Sequence, residues 1–355
     1  MPKRTNHLAQ KIFDLENLYV AWHDVCRSRR YYGYILRYRS NLDENLRHLQ
    51  LLLSTGSWQP HDYHNFVIYE PKMREISAPD IEDRIVHHAL CNYISPLFNN
   101  AFIDASCACI PGRGMLLASI KVQKYIRRQP EGKTVYYLSM DLRKYFHSIP
   151  HDTLKKLVRR KIKDLWVLEL VDILVDSFEH GLPIGALTSQ LFANVVLDSL
   201  DHYLCNQCGV KSYARYMDDL IVVSTDKEYL EKVFAVTAHY AEDVLGIRMN
   251  WDKCLIRRAV YYPTIGAEPV DCRLDFCGYG VTRWYLRPRR KIIRAAHRRF
   301  TKMSKELAVG KISEERLEAS INAFYGYVKH TKWDGYSYQA LAASGMRFPD
   351  YRKKK

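Results

Sequence analysis

The stretch that most constrains this chain is Tyr213-Ala-Arg-Tyr216-Met217-Asp218-Asp219-Leu220-Ile-Val-Val223, two short apolar runs that meet at adjacent carboxylates. β-Branched and aromatic residues on either side predict a hairpin, and the unbroken apolar run Leu220 to Val223 predicts a strand buried on both faces. Its tip is Met217-Asp218, where a relaxed two-residue hairpin favours Asn-Gly or Asp-Gly. The turn is therefore poor for folding alone, which suggests another purpose. Two neighbouring carboxylates repel and raise each other's pKa unless a cation neutralises them, and oxygen-only ligation of this kind suits magnesium or manganese. A bare Asp-Asp pair is more often an exposed acidic turn. A third acid at the end of another strand shifts that balance.

The third acid is Asp141, in Val135-Tyr-Tyr-Leu-Ser-Met-Asp141-Leu-Arg-Lys-Tyr-Phe146. A run rich in β-formers ends in an aspartate and then changes character, as a strand does when it delivers a ligand to the rim of a sheet. Packed beside the hairpin, this strand completes a cradle of Asp141, Asp218 and Asp219. Two divalent ions roughly 3.5–4 Å apart can activate an attacking hydroxyl and stabilise a departing pyrophosphate.

On these residues the chain resembles a reverse transcriptase, and most closely the enzyme of diversity-generating retroelements, from roughly Glu16 to Lys332. Tyr216 to Asp219 matches the family's Tyr-X-Asp-Asp box, and Asp141 to Phe146 its first catalytic motif. Leu182-Pro-Ile184-Gly185-Ala-Leu-Thr-Ser189-Gln190 is similar to the subfamily's Ile-Gly-X-X-X-Ser-Gln signature, where other relatives usually carry Gln-Gly-X-X-X-Ser-Pro. The resemblance implies that Ile184, Gly185 and Gln190 lie under the nascent base pair and that Phe146 packs against the sugar of the incoming nucleotide. It implies an α/β (α+β) fold in the right-hand polymerase arrangement, with fingers, a palm of small antiparallel sheet plus helices, and a helical thumb.

Charge is distributed unevenly. From Arg283 to the end there are 19 Lys and Arg against six Asp and Glu, a net +13 of the chain's total +15. Enrichment on that scale is the footprint of nucleic-acid contact, made mainly to phosphates. The start is polar, and no run of about eighteen apolar residues occurs, so a soluble intracellular protein without membrane attachment is expected. The nine cysteines form no regular framework, so free thiols in a reducing compartment are the economical reading. Neither Cys107-Ala-Cys109 nor Cys205-Asn-Gln-Cys208 has a matching second pair for zinc.

Residues 1–55 read as a helical extension interrupted by Arg27-Ser-Arg-Arg-Tyr31-Tyr-Gly-Tyr34. That knot is either an RNA-gripping surface or a helix connection. Residues 56–130 are expected to form fingers, opening with a hairpin about Glu70-Pro71. Lys72 and Arg74 would reach the incoming triphosphate from it, where a planar guanidinium suits phosphate oxygens. Asp83 and Arg84 read as a structural pair, and His87 and His88 as helical surface or core. The loop Ile110-Pro-Gly-Arg113-Gly resembles the family's Arg-Pro-Gly-Arg-Gly, which makes Arg113 a template contact, although Ile110 replaces an arginine. The palm spans 131–280, with finger-proximal helices over 151–180. A helix from Lys227 to Leu245, stopped by Gly246, is also expected.

By resemblance, Lys253 in Arg248-Met-Asn250-Trp-Asp-Lys253 donates a proton to pyrophosphate, and Gly278 in Phe276-Cys-Gly278-Tyr279 sits at the primer grip. Arg287, Arg289 and Arg290 open a basic thumb over 281–340, followed by a basic tail over 341–355. The implied partners are template RNA, its duplex with cDNA, deoxynucleoside triphosphates and a small basic accessory protein oligomer, in a prokaryotic or phage-encoded cytoplasmic enzyme. The implied product is adenine-mutagenised cDNA. A retron-like or defence-associated enzyme shares every catalytic residue, and a non-catalytic RNA-binding scaffold is the reading of another class.

Overall fold

The computed structural model describes residues 4–27, 29–69, 72–264 and 267–332. The predicted turn residues Glu70 and Pro71 and the tail 341–355 lie outside these. Ten strands are defined among the described residues: β1 (His64–Ile68), β2 (Arg74–Ala78), β3 (Val135–Asp141), β4 (Tyr213–Tyr216), β5 (Asp219–Ser224), β6 (Leu255–Tyr261), β7 (Val270–Asp271), β8 (Leu274–Phe276), β9 (Tyr279–Val281) and β10 (Leu286–Pro288). They form an antiparallel hairpin β1-β2, a palm sheet in the order β4-β5-β3-β6-β7, and a small sheet β10-β9-β8.

The palm sheet is covered on both faces, which accounts for its unbroken apolar runs. Leu138 and Met140 of β3, with Leu220 and Val222 of β5, join the largest core together with the helices Leu15–Cys26, Ile81–Asn99 and Leu187–His202. Val135 and Tyr137, with Ile221 and Val223, point to a second core shared with helix Met115–Arg127 and strands β8 to β10. The period-two alternation of strand side chains separates these sets. Ile110 is buried in the first core. An arginine there would place a charge among apolar side chains.

The N-terminal segment is helical as expected, and helix Leu42–Thr55 ends on Gly56 at φ +69°. The long helix expected after the hairpin runs Lys227–His239 and continues as a π-helical turn, Tyr240–Val244, before Gly246 at φ +71°. One pairing needs correction. Asp83 does not pair with Arg84: it accepts from the His61 backbone N–H and faces His61 Nδ1, both at 2.9 Å, while Arg84 Nε donates to the Pro79 carbonyl at 2.8 Å. Adjacent residues on a helix diverge by about 100°, so Asp83 turns inward and Arg84 toward the connecting segment.

The helices Arg290–Ala308 and Glu314–Val328 form the thumb around their own small cluster, Ile293, Ala296, Phe300, Phe324 and Val328. Tyr327 joins it to the small sheet. Its ring stacks on Tyr279 with centroids 4.8 Å apart, and its hydroxyl donates to the Gly278 carbonyl at 2.5 Å. No helix among the described residues is long and apolar enough to cross a membrane.

Candidate active site

The three carboxylates converge by register. Asp141, the last residue of β3, pairs with Asp219, the first of β5, and Tyr216 pairs with Asp219, leaving Met217-Asp218 as a two-residue turn. Met217 takes φ +53°, a left-handed conformation that disfavours a residue with a Cβ. The strain suspected from the sequence is therefore located at that residue. Burial raises the pKa of Asp218, as does Asp141's charge, while its own backbone N–H, Lys253 and Arg74 oppose the shift. Asp219 opens to solvent on one side, yet surrounding protein, then Asp218 and Asp141, push it up to about 6.

Asp141 is held differently. Its carboxylate accepts from Asn250 Nδ2 at 2.7 Å and from Lys253 Nζ at 2.9 and 3.0 Å, and its carbonyl accepts from the Asn250 N–H at 2.8 Å. Partial burial works against the charged form of Lys253, but the bond to Asp141 and the charges of Asp218 and Asp219 outweigh it and raise its pKa. Asn250 lies in the Arg248–Lys253 motif, and nothing in its sequence alone marks it as a partner of Asp141.

The brace beneath the turn was missed. Arg215 and Asp201 are both fully buried and form a bidentate pair, with Nε to Oδ1 at 2.8 Å and Nη2 to Oδ2 at 2.6 Å. The remaining guanidinium bonds go to Asn194 Oδ1 at 3.0 Å, Ser106 Oγ at 2.9 Å and the Met217 carbonyl at 3.2 Å, while Tyr213 donates to Asp201 at 2.6 Å. Five N–H donors in a fixed fork suit a site that must tie three segments to a strained turn. The available signal was alternation: Arg215 lies two residues from Tyr213 and shares its core-facing side.

The loop carrying Ile184 is fastened at both ends. Leu182 N–H donates to the Phe146 carbonyl at 2.7 Å, and Ser77 N–H of β2 donates to the Ile184 carbonyl at 3.0 Å. Gly185 has φ +143°, and a Cβ there would stand 2.7 Å from the Ser77 carbonyl oxygen. Phe146 is half-buried with its ring edge against Tyr145, Ile184 is half-buried, and Gln190 is exposed in the first turn of Leu187–His202. Lys72 and Arg74 are exposed on the hairpin, and their charges act on Asp219 and Asp218 respectively.

Between β8 and β9, Cys277 at φ +47° and Gly278 at φ +84° close a two-residue turn of type I′ geometry. Arg113 faces inward: Nη1 donates to the carbonyls of Ile103 and Ser106 at 2.6 and 2.7 Å, clamping its own loop. Arg287 is exposed and lies over Tyr285, Arg289 faces Asp275 at 3.8 Å, and Arg290 opens the first thumb helix. In the N-terminal knot, Tyr31 and Tyr32 are exposed on the connection between two helices.

Three clustered carboxylates, two of them (Asp218 and Asp219) with proton affinity raised by burial, are the hard oxygen donors a magnesium or manganese ion takes. Among the described residues no group of three His, Cys, Asp or Glu side chains is arranged to hold a metal ion as it stands, and Asp141 turns its oxygens to Lys253 and Asn250. The donor chemistry fits the ion, with Lys253 sharing Asp141.

Residues 65–280 match the family model for reverse transcriptase (RNA-dependent DNA polymerase). Protein YkfC of Escherichia coli (strain K12) is 26% identical over 257 residues, covering 59% of this chain and 67% of that protein. The retron Ec73 reverse transcriptase of Escherichia coli is 28% identical over 171 residues, covering 44% of this chain and half of that enzyme. Among solved structures, apo telomerase from Candida tropicalis superimposes with a TM-score of 0.48 at 11% identity, covering 86% of this chain and 66% of that one. The chain thus spans about half to two thirds of the length of these relatives.

Proposed function

Because the chain belongs to the reverse transcriptase (RNA-dependent DNA polymerase) family, we propose that it extends a DNA primer along an RNA template, with Asp141, Asp218 and Asp219 as the catalytic carboxylates. The observation that carries this reading is the pairing of Asp141 with Asp219 beside the strained Met217-Asp218 turn. Two magnesium ions, or manganese in their place, would supply Lewis-acid activation of the primer hydroxyl and charge neutralisation on the triphosphate when bound to these three residues. The chain's own groups do the rest. Arg215 fixes the turn, Lys72 and Arg74 present positive charge to the phosphates, and Lys253, kept protonated at Nζ beside Asp141, holds a proton for the departing pyrophosphate.

The finer reading is the enzyme of a diversity-generating retroelement, copying a template-repeat RNA into adenine-mutagenised cDNA with a small basic accessory protein as partner. Ile184 supports it. A glutamine at this place offers an amide to the incoming nucleotide, and isoleucine offers no donor. One such bond contributes roughly 0.5–1.5 kcal/mol, and at about 1.4 kcal/mol per tenfold its loss relaxes discrimination by up to about tenfold. The bias toward template adenine does not follow from this argument and rests on the resemblance. The test is sequencing of cDNA made on RNA containing all four bases by the parent and by Ile184→Gln. Errors concentrated opposite adenine, lowered in the variant, support the retroelement. Uniform errors support a retron-like enzyme, the second reading, which the match to the Ec73 enzyme favours.

A further inference from the structure

An exposed aromatic and basic cluster outside the active site sits at the four-residue turn Thr282–Tyr285 between β9 and β10. Thr282 N–H donates to the Tyr285 carbonyl at 3.1 Å and Thr282 Oγ1 donates to the same carbonyl at 2.8 Å, so the turn is closed upon itself. It displays two rings. Trp284 is 55% exposed, with the Arg127 guanidinium 5.8 Å and the Arg283 guanidinium 5.2 Å from its centroid. Tyr285 has Arg287 at 4.7 Å and Lys332 at 4.8 Å. Arg127, Arg287 and Lys332 are themselves exposed.

The carboxylates near the turn are engaged by the one cation that is buried. Arg283 faces Glu131 at 3.6 Å, its N–H approaches Asp271 at 3.3 Å, and it donates to the Tyr262 hydroxyl at 3.0 Å. Arg283 thus seats the turn on the sheet, Arg287 also acts on Asp271, and Arg127 and Lys332 present their charge to solvent. A tryptophan this exposed has forgone the burial that usually places it in a core. Cations set beside it make the combination that binds unpaired bases by stacking and their phosphates by charge.

The cluster is remote from the carboxylates. Asp271 of β7 pairs with Val260 of β6, which pairs with Val135, the first residue of β3, whereas Asp141 is the last. At about 3.3 Å per residue that is roughly 20 Å along the strand.

We propose that the Thr282–Tyr285 turn, with Arg127, Arg287 and Lys332, is a second nucleic-acid site that holds a single-stranded stretch of RNA outside the catalytic cleft. The choice of RNA rests on the polymerase reading above, and the site itself rests on the cluster. Charge complementarity selects a polyanion over the basic accessory protein, which this face would repel. An RNA held there keeps its uncopied part on the enzyme while another part occupies the active site.

The experiment measures affinity for a labelled single-stranded RNA of about twenty nucleotides and, separately, extension of a short pre-annealed primer–template. Trp284→Ala should weaken RNA binding about tenfold, within the range for one lost stacking platform. Trp284→Phe should retain most of it, and Arg127→Glu with Lys332→Glu should weaken it further and flatten its salt dependence. Extension of the short substrate should stay at the parent rate in all three, which separates failure of this site from failure of the polymerase assignment. RNA affinity within twofold of the parent in Trp284→Ala would overturn the proposal. So would a parallel loss of short-substrate extension, which would put the turn in the cleft or in the fold, or lost capture of a protein partner with RNA affinity unchanged.

Discussion

In the palm, the turn carrying Asp218 is braced by Arg215 and Asp201, both fully buried, beneath a sheet whose two faces are covered. In the thumb, two helices share five buried residues and meet the small sheet through the Tyr279–Tyr327 stack and its hydroxyl bonds. The difference lies in what holds each part. Chemistry at phosphorus needs carboxylates held to within a fraction of an ångström, so the palm fixes its turn with charge-assisted bonds that have one satisfying geometry. The thumb helices are held instead by a small apolar cluster and one ring stack, contacts without a single fixed geometry.

The largest effect that would sharpen the comparison is chemical. Asp218→Asn or Asp141→Asn should lower primer extension by at least about a thousandfold, each carboxylate supplying several kcal/mol of transition-state stabilisation. RNA binding should persist, because the basic thumb is untouched. Full-length cDNA from either variant would remove the carboxylates from the mechanism.

Next is the brace. Arg215→Met leaves Asp201 charged and buried without its partner, so the whole palm should lose about 3–5 kcal/mol in denaturant unfolding. A variant with parent stability and parent rate would show that the ion pair does not hold the turn. Phe300→Ala tests the other side. It removes a ring from the thumb's small cluster, worth about 3 kcal/mol locally, and should expose the thumb helices to hydrogen exchange while the palm sheet keeps its protection. Equal loss of protection in β3 and β5 would make palm and thumb one cooperative unit.

The smallest effect concerns protons. Asp219, pushed up to about 6 by burial and then by Asp218 and Asp141, binds its proton more tightly folded than unfolded. The group therefore stabilises the cation-free fold below the ordinary carboxylate range, and that contribution is lost as pH rises toward about 6. Divalent-cation affinity runs the other way, falling by up to about tenfold per pH unit below 6. Titration calorimetry across pH 5 to 7 checks it, and a slope unchanged in Asp219→Asn would assign the proton elsewhere.

What could be read in advance follows the same division. Asp141 and Asp219 were legible because each stands at one end of an apolar strand, with Asp218 in the turn between β4 and β5, and strand polarity alone brings the first two together. The brace was not, because Asp201 lies fourteen positions earlier on a helix and only tertiary packing joins it to Arg215. Arg113 was read by resemblance as a template contact, yet its guanidinium folds back on the carbonyls of Ile103 and Ser106, an option any long side chain has and no motif records. The expected Asp83–Arg84 pair failed for helical geometry, and the exposed ring of Trp284, with half-buried Tyr285 beside it, carried no motif at all.

The bond from Ser77 to Ile184, with Gly185 pressed against the Ser77 carbonyl, has a kinematic consequence. The hairpin bearing Lys72 and Arg74 cannot swing over a nucleotide without dragging the strip of chain that carries Ile184, because the two share a hydrogen bond and leave no slack for a Cβ between them. On the proposed roles, grasping the triphosphate and supporting the nascent pair would be one stroke of a single moving part. A side chain added at residue 185 would act as a wedge in that joint, holding the grip open for right and wrong nucleotides alike.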